Sequence, residues 1–448
     1  MRTAQYWCLY DWANSAFATV MLTAVLPTYF LGVAPGRAQF LGLEWPAESL
    51  WAYTVGVSVG LMALLMPVLG AVADQAGRRF AALVAFATVG VLATVATGVV
   101  PPADWWGLLV AFIIGNIGFE GSLVFYNALL PHIVGPKDYD RVSSWGFAAG
   151  YVGGGLALAG VLAWLWVAPT WGDIPAIQAV RHGLVATGLW WGLFGAIACW
   201  GLRHVESQPV RPLGLGEAWQ QGWAQLRQTF QALRPHRSAF RFLMAYLIYN
   251  DAVETTIALA AVFGQKALAI PQTRLILIIL VVQLLAFPGA LFWGWLTRRV
   301  ATFHALEVLL GLWAFATAGA FFIRTEAAFW GLAVGIAFIL GGIQALSRSY
   351  YARLFPAESS GEFFGFYAVT SKFAAILGPI LVGMMAQVFG HIRYGIPVLV
   401  LFYIVGWVIL RTIPTSDRAG GQGGRSADGQ SGRSKRRVSQ GRLLGGSS

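Results

Sequence analysis

The chain has 448 residues, of which only 49 are charged, or 11%, where a soluble domain carries about 25%. Hydrophobic residues make up 57%, more apolar surface than a globule in water can hide, so the sequence predicts a chain that lives in lipid. This excludes a disordered chain and an ordinary cytosolic enzyme, and two cysteines, Cys8 and Cys199, exclude a disulfide scaffold. The net charge of +11 does not imply nucleic acid. Eight of the 30 basic residues fall between Arg411 and Arg442, and most others occupy short gaps between apolar runs.

A helix crosses the hydrocarbon with about 20 apolar residues. Twelve segments meet that length, so the predicted fold is an all-α polytopic membrane protein. The first six lie near 8–34, 51–73, 80–100, 105–130, 144–168 and 183–202. The second six lie near 242–264, 275–297, 305–323, 327–348, 363–388 and 395–412. Asp11 and Asn14 interrupt the first run, so it does not read as a cleavable signal peptide. With the N-terminus placed inside, the cytoplasmic segments hold 23 Lys and Arg and the outer loops six, so both termini are expected in the cytoplasm.

Four parts follow: a six-helix bundle over 1–202, a connector over 203–241, a second bundle over 242–412, and a basic tail over 413–448. In the connector, Trp219, Trp223, Leu226, Phe230 and Leu233 form one apolar stripe of helical spacing opposite Gln220, Gln225, Arg227, Gln228 and Gln231. It suits a helix lying on the inner leaflet, and the connector and tail both carry charge for anionic lipid. From residue 415 the tail is Gly-, Ser- and Arg-rich and is expected to be disordered.

The two halves echo one another. Tyr10-Asp11 opens span one and Tyr249-Asn250-Asp251 lies in span seven; Leu129-Leu130-Pro131 ends span four and Leu354-Phe355-Pro356 follows span ten. Such a duplication points to the pseudo-symmetric major facilitator fold. The run from Gly70 through Asp74 and Gly77 to Arg78 and Arg79 resembles the loop signature of that superfamily, with Gln75 at a position usually basic. Tyr10-Asp11-Trp12-Ala13-Asn14-Ser15-Ala16-Phe17 resembles the opening signature of its vacuole-effluxer-like family. Phe125–Pro131, Gln344–Ser349 and Glu362–Tyr367 are similar to further blocks of that family. Ala252 departs from it, standing where a glycine is usual after Asn-Asp. The resemblance implies a secondary transporter. Its fungal members are implied to release amino acids from the vacuole. It also implies that spans one, four, seven and ten line the central cavity, and that the 70–79 loop is a cytoplasmic latch in which Asp74 accepts from a helix N-terminus and from Arg78 or Arg79.

An ionisable side chain within a span costs at least about 2.5–3.5 kcal/mol, so each needs a reason. Asp11, Glu120, Asp251 and Glu254 fall on spans one, four and seven. Asn14, Asn127, Asn250, Gln344 and Arg348 complete a polar lining for substrate or proton coupling. Asp251 and Glu254 stand three apart on one helix face, so mutual repulsion would raise one of their pKa values and suit it to carry a proton. Lys372, about 14 Å into span eleven, would pair with an acid or hold a substrate carboxylate. Asp11, near the cytoplasmic end of its helix, would alternatively anchor a gate.

No metal, phosphate-loop or dinucleotide signature occurs, so no cofactor is expected and transport is gradient-driven or passive. The expected partners are a small-molecule substrate and the bilayer, with no nucleic acid, in a monomer of the plasma (inner) membrane if the source is bacterial. The expected function is proton-coupled transport of a small polar solute, an amino acid first. One alternative is a drug or organic-cation antiporter. The other, an intramembrane aspartyl protease using Asp11 and Asp251, lacks a Gly-x-Gly-Asp partner motif.

Overall fold

The computed structural model is helical throughout its core. It describes residues 2–205 and 237–418, except Gly36, 41–42, much of 48–77, Asp173, 375–376 and Gly390, with Glu217, Gln220 and Ala224 between. The apolar stripe of the connector, Asp74, Gly77 and the tail from 419 lie outside the described residues.

Helix α1 (Arg2–Ala16) runs on as a π-helical segment, Phe17–Ala24, and bends by 42° into α2 (Leu26–Val33), where Pro27 starts a new first turn. Then come α3 (Arg79–Val99), α4 (Trp105–Ile133), α5 (Tyr139–Gly172) and α6 (Ala176–Leu202). The second set is α7 (Arg237–Leu268), α8 (Gln272–Leu296), α9 (Thr302–Ala320) and α10 (Glu326–Tyr351). It continues with α11 (Ser360–Phe373), α12 (Leu377–Phe389), α13 (Ile396–Arg411) and the short α14 (Thr415–Arg418). Side-chain caps fix two starts: Asp104 accepts from the Gly107 amide at 2.9 Å ahead of α4, and Thr325 from Ala328 ahead of α10.

Among the described residues, eight helices are long and apolar enough to cross a membrane, and the bent α1–α2 pair makes a ninth. The structure departs from the sequence expectation in three places. Span eleven, read as one apolar run, is two helices separated between Phe373 and Leu377. A two-stranded hairpin, β1 (Arg37–Phe40) against β2 (Leu43–Pro46), follows α2, while the other regular elements among the described residues are helices. The tail is ordered further than expected, because Ile413 is fully buried and α14 is held by a hydrogen bond from Ser238 to Asp417.

Within the first set α1 packs on α5 and α6, and α3 on α4 and α6. The second set repeats these pairings, with α7 on α11, α12 and α13, and α9 on α10 and α13. The two sets meet where α5 packs along α8 and α10, and where α11 packs on α4. The buried side chains form one large cluster spanning both sets.

Candidate functional site

Arg348 of α10 is 3% exposed and reaches out of the second set into the first. Its Nε donates to Ser143 Oγ and its Nη2 to the Ser143 carbonyl, each at 2.8 Å. Nη1 donates to Asp11 Oδ2 and to Asn127 Oδ1, each at 3.3 Å. The guanidinium lies over Phe147 at 4.0 Å from the ring centroid and over Trp7 at 4.7 Å. A buried guanidinium is tolerated only when carboxylate, carbonyl and aromatic faces replace its water, and α1, α4 and α5 supply all three.

The cage is itself braced. Tyr126 Oη donates to Asp11 Oδ2 at 3.0 Å, Trp7 stacks on Tyr126 at 4.3 Å, and Trp7 Nε1 donates to the Tyr126 carbonyl at 2.8 Å. Gly146 leaves the space. A Cβ there would lie 2.8 Å from Trp7 and 3.0 Å from both Arg348 Nη2 and Asp11 Oδ2.

A second layer lies one turn on. Arg353 grips Asp140 with two parallel bonds of 2.8 Å, and Ser349 and Thr302 donate to the same carboxylate at 2.5 and 2.6 Å. A third is the close approach of Gly70 to the start of α11. A Cβ on Gly70 would stand 2.3 Å from the Gly361 carbonyl oxygen, so only glycine fits. Arg79 donates to the Glu358 carbonyl, and His132 meets Ser360 at 3.2 Å. Every one of these contacts joins the first set to the second at one end of the molecule, where α4 and α10 stop and α5 and α11 begin.

Deeper in, Tyr151 of α5 donates to Gln344 of α10, and Gln283 of α8 reaches Thr19 of the π-helical segment at 3.5 Å. Glu254 stands within electrostatic range of the Tyr151, Tyr246 and Tyr403 hydroxyls. Asn14 and Asn250 are buried, and among the described residues their amide nitrogens have no hydrogen-bond partner. A buried amide needs one, and a solute or water entering the interior would supply it.

Asp251 is placed differently from the sequence expectation. Both of its carboxylate oxygens accept from the Gly378 amide, at 2.9 and 3.0 Å, and Thr255 donates to it at 3.2 Å. It caps the N-terminus of α12, where a negative charge meets the helix dipole.

The structure therefore brings Asp11, Asn127 and Arg348 into one constellation, and puts Gln344, Asn14, Asn250 and Glu254 further inside. Glu120 is buried on α4, a turn from Asn116, whose Nδ2 donates to Ser58 at 2.8 Å. Gly70 and Arg79 dock on the second set while Arg78 is exposed. The Lys372 side chain on α11, with Asp74 and Gly77, lies outside the described residues. Ser143, Phe147, Asp140 and the gripping role of Arg353 carry no signal in the sequence, where they read as ordinary span and loop residues.

Two sets of helices with repeated pairings, closed on each other by ion pairs at one end, define a membrane transporter of the major facilitator superfamily. Solved structures agree at the level of fold. The human organic anion transporter MFSD10 (TETRAN) superposes with a TM-score of 0.68 at 15% identity, covering 91% of this chain and 99% of that one. The fucose:proton symporter FucP of E. coli gives 0.68 at 14% identity, covering 92% and 98%.

The chain belongs to the family described as "Vacuole effluxer Atg22 like", whose model matches residues 2–419. It is 32% identical over 415 residues to the uncharacterized MFS-type transporter YxiO of Bacillus subtilis, covering 91% of this chain and 94% of the relative. It is 24% identical over 445 residues to Autophagy-related protein 22-1 of Aspergillus fumigatus, covering 79% and 72%. The chain is thus an integral membrane protein of a transporter family, not an enzyme. The protease alternative also fails on geometry, since Asp11 is committed to Arg348 and Asp251 to α12.

Proposed function

We propose that this protein is a twelve-span secondary transporter that moves an amino acid by alternating access, with both termini cytoplasmic. Span two is the partly described 51–73 segment, span seven is α7, and α11 with α12 forms a broken span eleven. The observation that carries the reading is the Arg348 cage, a charged lock between two helix sets at the end that the Lys and Arg distribution assigns to the cytoplasm. With that lock made, the molecule is closed inside and faces outward. Transport requires that the same lock open, so its bonds are made and broken in each cycle.

Substrate and coupling are read from the interior. The amide nitrogens of Asn14 and Asn250 suit a substrate carboxylate, and Glu254 suits its ammonium group, so the interior offers both signs that a zwitterion needs. The fungal relatives' family description, vacuole effluxer, is consistent with an amino-acid cargo. Glu254 carries the coupling proton in this reading. An acidic interior equally suits an organic cation, and the buried Glu120 with Glu254 is the observation behind that second reading.

Counterflow in proteoliposomes loaded with unlabelled amino acids separates the two. Transient accumulation of labelled amino acid is the expected result, and accumulation only of labelled organic cations would replace the amino-acid reading. Glu254→Gln should retain counterflow and lose proton-driven uptake; full gradient-driven uptake in that variant would exclude Glu254 as the coupling group.

A further inference from the structure

We propose that the groove between α9 and α13 is a binding site for an anionic phospholipid of the cytoplasmic leaflet. The groove encloses about 430 Å³ and opens at the surface of the helix bundle, where Val308 and Ile404 are exposed. Its α9 wall carries His304, Glu307, Val308, Gly311 and Ala314, which recur every three or four residues and so share one helix face. Its α13 wall carries Tyr403, Ile404, Trp407 and Arg411 at the same kind of spacing. The groove is therefore apolar along most of its length and charged only at the end where α9 starts and α13 stops. That is the profile of an acyl chain with its head group attached.

The charged end fixes the head group. Arg411 lies over the Trp407 ring at 4.2 Å and gives its Nε to Glu307 at 2.5 Å. Its two terminal nitrogens have no partner among the described residues. Around the same mouth, Arg241 holds the Thr412 carbonyl at 2.6 Å and Arg418 the Ile413 carbonyl at 2.7 Å. Neither guanidinium is ion-paired among the described residues, so Arg411, Arg241 and Arg418 outnumber Glu307 and Asp417 near the groove's polar end. Basic pockets between helices on the cytoplasmic side suit acidic lipid head groups, and each nearby Lys or Arg strengthens anionic-lipid binding about fivefold.

A second lipid-facing groove provides the contrast. It lies between α5 and α6, encloses about 350 Å³, and is lined by Leu156, Gly160, Val161, Trp164, His182 and Trp190, with no Lys or Arg. The same physics gives it no preference for a charged head group.

Native mass spectrometry of the full chain in detergent, titrated with phosphatidylglycerol or phosphatidylcholine, tests the assignment. A Cβ at Gly311 or Gly160 meets nothing within 4 Å, so each accepts a large side chain without disturbing the packing behind it. Gly311→Trp should remove the tightest phosphatidylglycerol, while Gly160→Trp should leave it in place. Arg411→Gln should lower the preference for phosphatidylglycerol over phosphatidylcholine about fivefold. Glu307→Gln, which frees Arg411, should raise it. Monodisperse Gly311→Trp protein that retains phosphatidylglycerol like the wild type would overturn the site. So would Arg411→Gln and Glu307→Gln proteins with an unchanged lipid preference, leaving annular lipid only.

Discussion

Asp11 and Asp251 both lie in the first helix of their sets, Asp11 directly after Tyr10 and Asp251 two residues after Tyr249, yet they bond in opposite directions. Asp11 bonds across the sets to Arg348, whereas Asp251 bonds within its own set to the N-terminus of α12. A bond across the sets must break whenever the closed end opens. A bond within one set can persist through the whole cycle. On the proposed function the duplicated motif divides into a lock that cycles and a tie that holds, and the partner, rather than the acid, decides which.

Breaking the lock should have the largest effect. Arg348→Gln leaves the Asp11 carboxylate buried without its cation, a cost of about 3–5 kcal/mol, and we expect counterflow close to background. Adding Asp11→Asn removes the stranded charge. The double variant should therefore recover thermal stability over Arg348→Gln alone, and additive losses in melting temperature would show that the pair is not coupled. Gly70→Val comes next. Its side chain meets the Gly361 carbonyl, so closure is opposed by about 1–3 kcal/mol of over-packing, visible as slower transport in counterflow.

The tie should matter less for turnover. Asp251→Asn keeps an acceptor at α12 but loses the charge–dipole attraction, about 1 kcal/mol. We expect a lower melting temperature with counterflow preserved, and abolished counterflow with unchanged stability would move Asp251 from the tie to the transport site. The smallest effect belongs to Arg274 and Glu326, which pair at 2.7 Å in a solvent-exposed position. Arg274→Ala should change stability by less than about 1 kcal/mol in thermal unfolding.

The sequence showed much of this outline and little of the wiring. Asp11, Asn127 and Arg348 stood out because polar groups in spans are costly, and the superfamily followed from the 10–17 and 70–79 motifs. Their association was hidden because it joins α1, α4 and α10 over 337 residues, through contacts that only packing creates. Ser143 and Phe147 looked like ordinary residues of span five. The partner of Asp251 was hidden for a local reason. The spacing of Asp251 to Glu254 is visible along one helix, whereas its real partner lies 127 residues away at a break in span eleven. That break falls in an apolar run, and only Gly378-Pro379 marks it.

On the proposed function, the Arg348 cage keeps one end of the molecule closed. The direct test is the distance between spin labels on Lys137→Cys and Glu358→Cys, exposed positions in the two sets beside that end, in a background with Cys8 and Cys199 replaced by Ala. A single short-distance population is expected, and Arg348→Gln should shift much of it to a longer distance. An unchanged distance distribution in Arg348→Gln would contradict the lock.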